Sequence, residues 1–262
     1  MRIVRFLDPD GRDCWGRIAP GGGAVEQVEG DPFAPGVDFE RLPARELFRL
    51  EGLRLLPPAR PTKILGIGRN FRAHAAELGN DVPAEPLVFL KAPSSLLAPE
   101  GTLLLPPESS RVDYEGELAL VVGRRVRRLP ASRWREAILG FTIVCDVTAR
   151  DLQKKDVQFA RAKSFDGFCP LGPWIETDWQ EGGRGLRTRV DGKVRQDGRF
   201  DDLIFGLPRL VEHLSAAMTL EPGDLVLTGT PEGVAPLAAG ECCEVEIDGL
   251  GTLRFRVENE KV

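Results

Sequence analysis

The segment Glu115-Gly116-Glu117-Leu118-Ala119-Leu120-Val121-Val122 constrains this chain more than any other, because past its two glutamates it is apolar at every position. A strand alternates its side chains between two faces. Here one face carries Ala119 and Val121 and the other Leu118, Leu120 and Val122, so neither face suits water. Such a strand needs protein on both sides. Glu115 and Glu117 then share a face at its start, with roughly 6.5 to 7 Å between their Cα atoms. They are either an ordinary solvated acidic edge or a buried pair, and a buried pair would raise each other's pKa unless a cation neutralised them.

The rest of the 262 residues reads as a strand-dominated α+β chain. Spacing and composition predict strands over 63–67, 87–91, 102–105, 115–123 and 140–147. They predict helices over 70–78, 132–139 and 207–218, and a helical or turn-like stretch over 149–159. Asp191-Gly192 and Asp248-Gly249 each sit between alternating runs, the mark of two-residue type I′ hairpins. Residues 1–60 alternate short apolar runs with Gly- and Pro-rich turns and read as a small β-rich N-terminal domain. The run Leu55-Leu56-Pro57-Pro58-Ala59-Arg60-Pro61 reads as a linker, placing the boundary between 60 and 61.

A net charge of -5 offers no long-range attraction to phosphate backbones or anionic lipid, so neither nucleic acid nor membrane is an expected partner. The apolar runs 118–122 and 141–145 fall far short of the roughly 18 residues a spanning helix needs. Arg5 and Asp8 break the N-terminal apolar stretch, so no signal-peptide core is expected there and the cytoplasm is the expected compartment. Five cysteines without a C-x-x-C spacing argue against a disulfide framework and a thiolate zinc site. Only two histidines are present, which excludes a three-His zinc centre.

Asp146 ends the apolar run Gly140-Phe141-Thr142-Ile143-Val144-Cys145 and is the expected third oxygen ligand beside Glu115 and Glu117. As an alternative it caps a helix or forms a turn at the end of that run. Three carboxylates suit a hard cation, with Mg²⁺ expected and Mn²⁺ or Ca²⁺ as alternatives. His74 and Glu77, three residues apart on an expected helix, would share a face as an oriented base requires. Lys163, among apolar residues, could hold a substrate oxyanion or be a surface lysine. Thr228-Gly229-Thr230-Pro231-Glu232-Gly233-Val234 offers N–H groups and hydroxyls to a carboxylate, or is only a turn. Gly66-Ile67-Gly68-Arg69-Asn70-Phe71 follows a strand, but Phe71 stands where a dinucleotide loop needs its third glycine, so a nicotinamide-dependent oxidoreductase is discounted. His213, within the helix expected over 207–218, reads as structural.

In this order the segments resemble the fumarylacetoacetate hydrolase family: Gly66 to Phe71 with His74 and Glu77, Phe89-Leu90-Lys91, Asp113-Tyr114-Glu115-Gly116-Glu117-Leu118, and Cys145-Asp146-Val147-Thr148-Ala149-Arg150-Asp151-Leu152-Gln153. Ala162-Lys163-Ser164-Phe165-Asp166-Gly167 and Leu220-Glu221-Pro222-Gly223-Asp224 running on to Val234 extend the match. The resemblance implies a mixed β-sandwich roll in a homodimer, with a divalent metal on Glu115, Glu117 and Asp146. It further implies His74, Glu77 and Lys163 as catalytic residues and Arg69, Asn70, Lys91, Gln153 and Thr230 as the substrate-binding set. Ala235 departs from the glycine many relatives carry there.

The expected activity is that of a divalent-metal-dependent enzyme acting on 2-oxo acids, whether small 2-oxo dicarboxylates or acylpyruvates, through a metal-stabilised enolate. C–C hydrolysis of acylpyruvates and decarboxylation of oxaloacetate lead, because His74 with Glu77 could activate water. An isomerase of 2-hydroxyhepta-2,4-diene-1,7-dioate in aromatic catabolism is the close alternative. A non-catalytic carboxylate-binding protein is the alternative of another class.

Overall fold

The computed structural model describes residues 1–77 and 82–261, with the backbone alone at 74–76. Before the paired prolines, short apolar runs cut by glycine turns form β1 (Arg2–Leu7), β2 (Asp13–Ile18), β3 (Ala24–Val28), β4 (Ala44–Arg49) and β5 (Arg54–Leu56). There follow β6 (Ile64–Gly68), α1 (Arg72–Glu77), β7 (Leu87–Lys91), β8 (Leu96–Leu97), β9 (Thr102–Leu105), β10 (Val112–Asp113), β11 (Gly116–Val122) and β12 (Ile138–Cys145). After β13 (Thr148–Ala149) come α2 (Arg150–Lys155), α3 (Ala160–Lys163), β14 (Cys169–Glu176), β15 (Gly185–Val190) and β16 (Lys193–Arg199). The chain closes with α4 (Leu207–Ala217), β17 (Leu225–Leu227), β18 (Cys242–Ile247) and β19 (Gly251–Asn259).

One large sheet runs β4-β3-β2-β1-β14-β12-β11-β17-β6-β7, and a five-stranded sheet runs β16-β15-β18-β19-β9. Every residue of β11 is buried, as its two-sided apolar pattern requires. Leu118, Leu120 and Val122 belong to the core shared with Val245, Leu253 and Phe255 of the smaller sheet. Ala119 and Val121 face the other way, in a cluster with Val144, Ile175 and Leu225. Ile3, Trp15, Val28 and Phe39 belong to the same cluster, so N-terminal residues join the apolar core on this side of the sheet. β1 also extends the main sheet, pairing Arg2 with Glu176 and Ile3 with Ile175 on β14.

Two local expectations are corrected. The helix expected over 132–139 is a 3-10 helix, Ala131–Ala137, because Ile138 and Leu139 are drawn into β12, where Ile138 pairs with Val122. The seven residues left follow Pro130 and tighten rather than form an α-helix. Asp191-Gly192 has positive φ at both residues (50° and 74°), as a type I′ turn demands. The Asp248-Gly249 turn has a third residue, since Ile247 pairs with Gly251 and Leu250 is buried. Asp248 spends its carboxylate on the Gly185 N–H at 2.8 Å and its carbonyl on the Trp179 indole N–H at 2.8 Å, which holds the wider loop.

The β6–β17 junction is locked by Asp224. Its fully buried carboxylate accepts the Thr62 N–H (3.0 Å) and hydroxyl (2.7 Å), the Lys63 N–H (3.1 Å) and the Glu221 N–H (2.8 Å), and it pairs with the Lys63 ammonium. An Asp224→Ala substitution strands these donors, and denaturant unfolding should show a loss of about 3–5 kcal/mol. A loss under about 1 kcal/mol, the size of an exposed pair, would contradict this account.

Candidate active site

Antiparallel pairing of β11 with β12 sets Gly116 opposite Cys145, so the start of one strand lies beside the end of the other. Glu115 directly precedes β11 and Asp146 directly follows β12, and the Asp146 N–H donates to the Glu115 carbonyl at 2.8 Å. β17, antiparallel to β11 on its other side, ends at Leu227 and delivers Thr228-Gly229-Thr230 to the same edge. Parallel to β17, β6 brings Gly68 and Arg69 to that edge.

Glu115, Glu117 and Asp146 converge there, each buried, with candidate ligand oxygens within 4.8 Å of one another. The Lys163 ammonium bridges two of them, 2.8 Å from Glu115 and 2.5 Å from Asp146. It also lies 4.8 Å from the centre of the Phe89 ring. Lys91 donates to the other Asp146 oxygen at 2.7 Å and to the Val147 carbonyl at 3.3 Å. Arg150 pairs with Glu115 through one nitrogen and with Asp113 at 2.9 Å through another, and a third donates to Gln153 at 2.7 Å. Asp113, fully buried, also takes Arg111 at 2.9 and 3.2 Å.

Glu117 differs from its two neighbours. Among the described residues its carboxylate receives one hydrogen bond, from the Gly229 N–H at 2.7 Å, and no ion pair. Gly229 has φ +96°, and a Cβ there would come within 2.8 Å of the Asn70 Cβ, so glycine is what lets this N–H be presented. Burial, and then the charges of Asp146 and Glu115, push the Glu117 carboxyl well above its ordinary value. For Lys163 burial works downward, but Asp146 and Glu115 outweigh it and the ammonium is raised. Three hard oxygen donors, one of them without a cation of its own, fit a hard divalent metal ion.

Glu115, Glu117, Asp146, Lys163, Arg69, Gln153 and Thr230 line one cavity of about 320 Å³, together with Arg150, Lys154, Leu87, Phe89 and Phe159. Lys91, Asn70 and Glu77, the other expected residues whose side chains are described, do not line it. Lys91 sits behind Asp146 rather than on the wall. Asn70, fully buried, donates to the Phe205 (3.1 Å) and Thr228 (2.8 Å) carbonyls and accepts the Phe205 N–H (2.8 Å), so it pins loops together. Glu77 accepts the Gly233 N–H at 3.1 and 3.3 Å. The His74 side chain lies outside the described residues. Thr230 donates to the Gly116 carbonyl at 2.9 Å and accepts from Gln196 at 2.8 Å, which fixes its hydroxyl on the cavity edge.

Arg150 and Lys154 were not among the expected site residues. Their signal was available: Arg150, Gln153 and Lys154 fall at i, i+3 and i+4 of one short helix shortly after Asp146. Asp113 is two residues before Glu115 and continues its alternation, but the cations that claim it are visible only in three dimensions.

A buried carboxylate cluster with an embedded lysine lies at the edge of a mixed sheet, an arrangement that could hold a metal ion. Residues 63–258 match the fumarylacetoacetate (FAA) hydrolase C-terminal domain, and residues 1–58 match the Rv2993c-like N-terminal domain. The chain belongs to the fumarylacetoacetate hydrolase family and is an enzyme of that family. Protein Rv2993c of Mycobacterium tuberculosis is 41% identical over 260 residues, 97% of this chain and 96% of its own. Oxaloacetate tautomerase YisK of Bacillus subtilis is 39% identical over 90% of this chain and 86% of its own. Among solved structures, 5-carboxymethyl-2-hydroxymuconate delta-isomerase of Mycobacterium smegmatis superposes with a TM-score of 0.90 at 40% identity, covering 99% of this chain and 100% of its own.

Proposed function

We propose that this protein is a divalent-metal-dependent enzyme of 2-oxo acids and their enols, acting on the carbon beside the 2-oxo group. The observation that carries the reading is the buried Glu115, Glu117 and Asp146 cluster opening on a cavity with Lys163 and Arg150 in its wall. A relative named as an oxaloacetate tautomerase and a solved structure named as a 5-carboxymethyl-2-hydroxymuconate delta-isomerase support chemistry of this class here.

Glu115, Glu117 and Asp146 would hold the metal, Mg²⁺ in our reading, and when bound it would polarise the substrate's 2-oxo group as a Lewis acid. Lys163, buried and cationic, offers a positive charge to the oxygen on which negative charge builds during enolisation, decarboxylation or C–C cleavage. Gln153 and Arg69 offer N–H donors to substrate carboxylates from the cavity wall, beside Thr230, whose hydroxyl hydrogen is held by the Gly116 carbonyl. His74 oriented by Glu77 remains our candidate for the water-activating base, on the strength of the family motif, and Asn70 and Lys91 act in our reading by fixing the site rather than by touching substrate. We further infer a homodimer in which residues 1–60 form a small N-terminal β-rich domain continuous with the main sheet. A cytoplasmic setting is supported by five free cysteines and by the lack, among the described residues, of a helix long and apolar enough to cross a membrane.

The test follows ultraviolet spectra of acetylpyruvate and of oxaloacetate with purified protein, in Mg²⁺ or in EDTA. We expect metal-dependent spectral change with at least one of them, with pyruvate and acetate, pyruvate and CO₂, or faster enol–keto exchange identifying the reaction. Equal rates in EDTA, or no effect on either compound, would sink the reading.

A further inference from the structure

The cavity carries more positive charge than its carboxylates use. Its wall holds three carboxylates, Glu115, Glu117 and Asp146, and four cations, Arg69, Arg150, Lys154 and Lys163. Arg150 is committed to Glu115 and Asp113, and Lys163 to Glu115 and Asp146. Among the described residues, neither the Arg69 nor the Lys154 side chain makes a hydrogen bond or an ion pair. A divalent ion on the carboxylates would add to this excess. In a chain of net charge -5, two unpaired cations on one concave wall are a provision for an anion beyond the metal-bound end of the substrate.

Their placement is graded. Arg150 and Lys154 are one turn apart on α2, so they share a face, about 6 Å apart along its axis. Arg150 is buried against Glu115, while Lys154 is exposed at the mouth. Arg69, half-buried, enters from the end of β6 and is held in the left-handed region at φ +59°, a conformation that costs a non-glycine residue energy and recurs at ligand-binding positions. The end carbons of a four- or five-carbon 2-oxo dicarboxylate are about 4 to 5 Å apart on standard bond lengths, close to that one-turn step. An acyl tail would instead leave both cations unanswered beside it.

We propose that Lys154, with Arg69, is a specificity-determining pair that grips the distal carboxylate of the substrate, so that this enzyme prefers 2-oxo dicarboxylates over acylpyruvates with uncharged tails. The assignment rests on the 2-oxo acid reading above and sharpens it. Calorimetry on the full-length, Mg²⁺-loaded protein with two probes tests it: 2-oxoglutarate, and 2-oxopentanoate, which has a similar chain without the second carboxylate. The wild type should bind 2-oxoglutarate about tenfold more tightly. Lys154→Glu should erase most of that preference, and Lys154→Arg should keep it. An unaltered preference in Lys154→Glu, or equal affinities in the wild type, would overturn the pair while leaving the 2-oxo acid reading intact. If the wild type bound neither probe, the broader reading would fall and the pair with it.

Discussion

Replacing Glu117 by glutamine should weaken divalent-cation binding by about 100-fold or more, since it removes a charged ligand and not only a partner behind one. Titration calorimetry with Mg²⁺ reads this directly. The amide keeps an oxygen able to accept the Gly229 N–H, so the fold is expected to survive, and circular dichroism checks it. The same variant has a pH signature. Because the Glu117 carboxyl is raised above its ordinary 4.5, the metal-free folded state binds a proton more tightly than the unfolded chain does. Between 4.5 and the raised value the folded state therefore carries more protons, and metal-free stability falls as pH rises through that window. A cation must displace that proton, so metal affinity should strengthen with pH across the same window, about tenfold per unit for one proton released. Both slopes should vanish in Glu117→Gln. A variant with wild-type Mg²⁺ affinity, or with the slopes retained, would remove Glu117 from the ligand set.

Much of this site was legible because its parts are local in sequence. Glu115 and Glu117 declare themselves by lying at the mouth of a strand with no polar face, and Asp146 by ending a second one. What the linear pattern lacks is the pairing that makes the strand ends adjacent, and with it the network of counter-charges. Lys91 reaches Asp146 across 55 residues and Arg150 reaches Glu115 across 35, separations at which no periodicity reports a contact. Asn70 shows the converse. It sits inside a motif that implies substrate contact, yet its amide is spent on carbonyls 135 and 158 residues away, which only tertiary structure reveals. The sandwich was likewise readable from β11, whereas the core that Ala119 and Val121 join was not, since it draws in Trp15, Val28 and Phe39 from the first sixty residues.

Replacing Lys163 by methionine should separate chemistry from metal binding more sharply than any other change. If Lys163 holds the substrate oxygen that gains negative charge, kcat should fall by about 10²- to 10³-fold, the usual cost of one such donor. Metal affinity should move the other way. The ammonium lies between Glu115 and Asp146, so in the metal-free protein it occupies the space between two candidate ligands and competes for their charge. Methionine keeps most of the length and the contact with Phe89 without that charge, and Mg²⁺ should bind at least as tightly as in the wild type. Stability should drop by less than the roughly 3–5 kcal/mol of a stranded buried charge. Asp146 retains Lys91 at 2.7 Å and Glu115 retains Arg150, so neither carboxylate is left alone. Added Mg²⁺ should recover part of the loss in a thermal melt, because it restores positive charge where the lysine was. Parallel losses in kcat and metal affinity would mean instead that Lys163 builds the metal site, and an unchanged kcat would mean that the ammonium takes no part in the reaction.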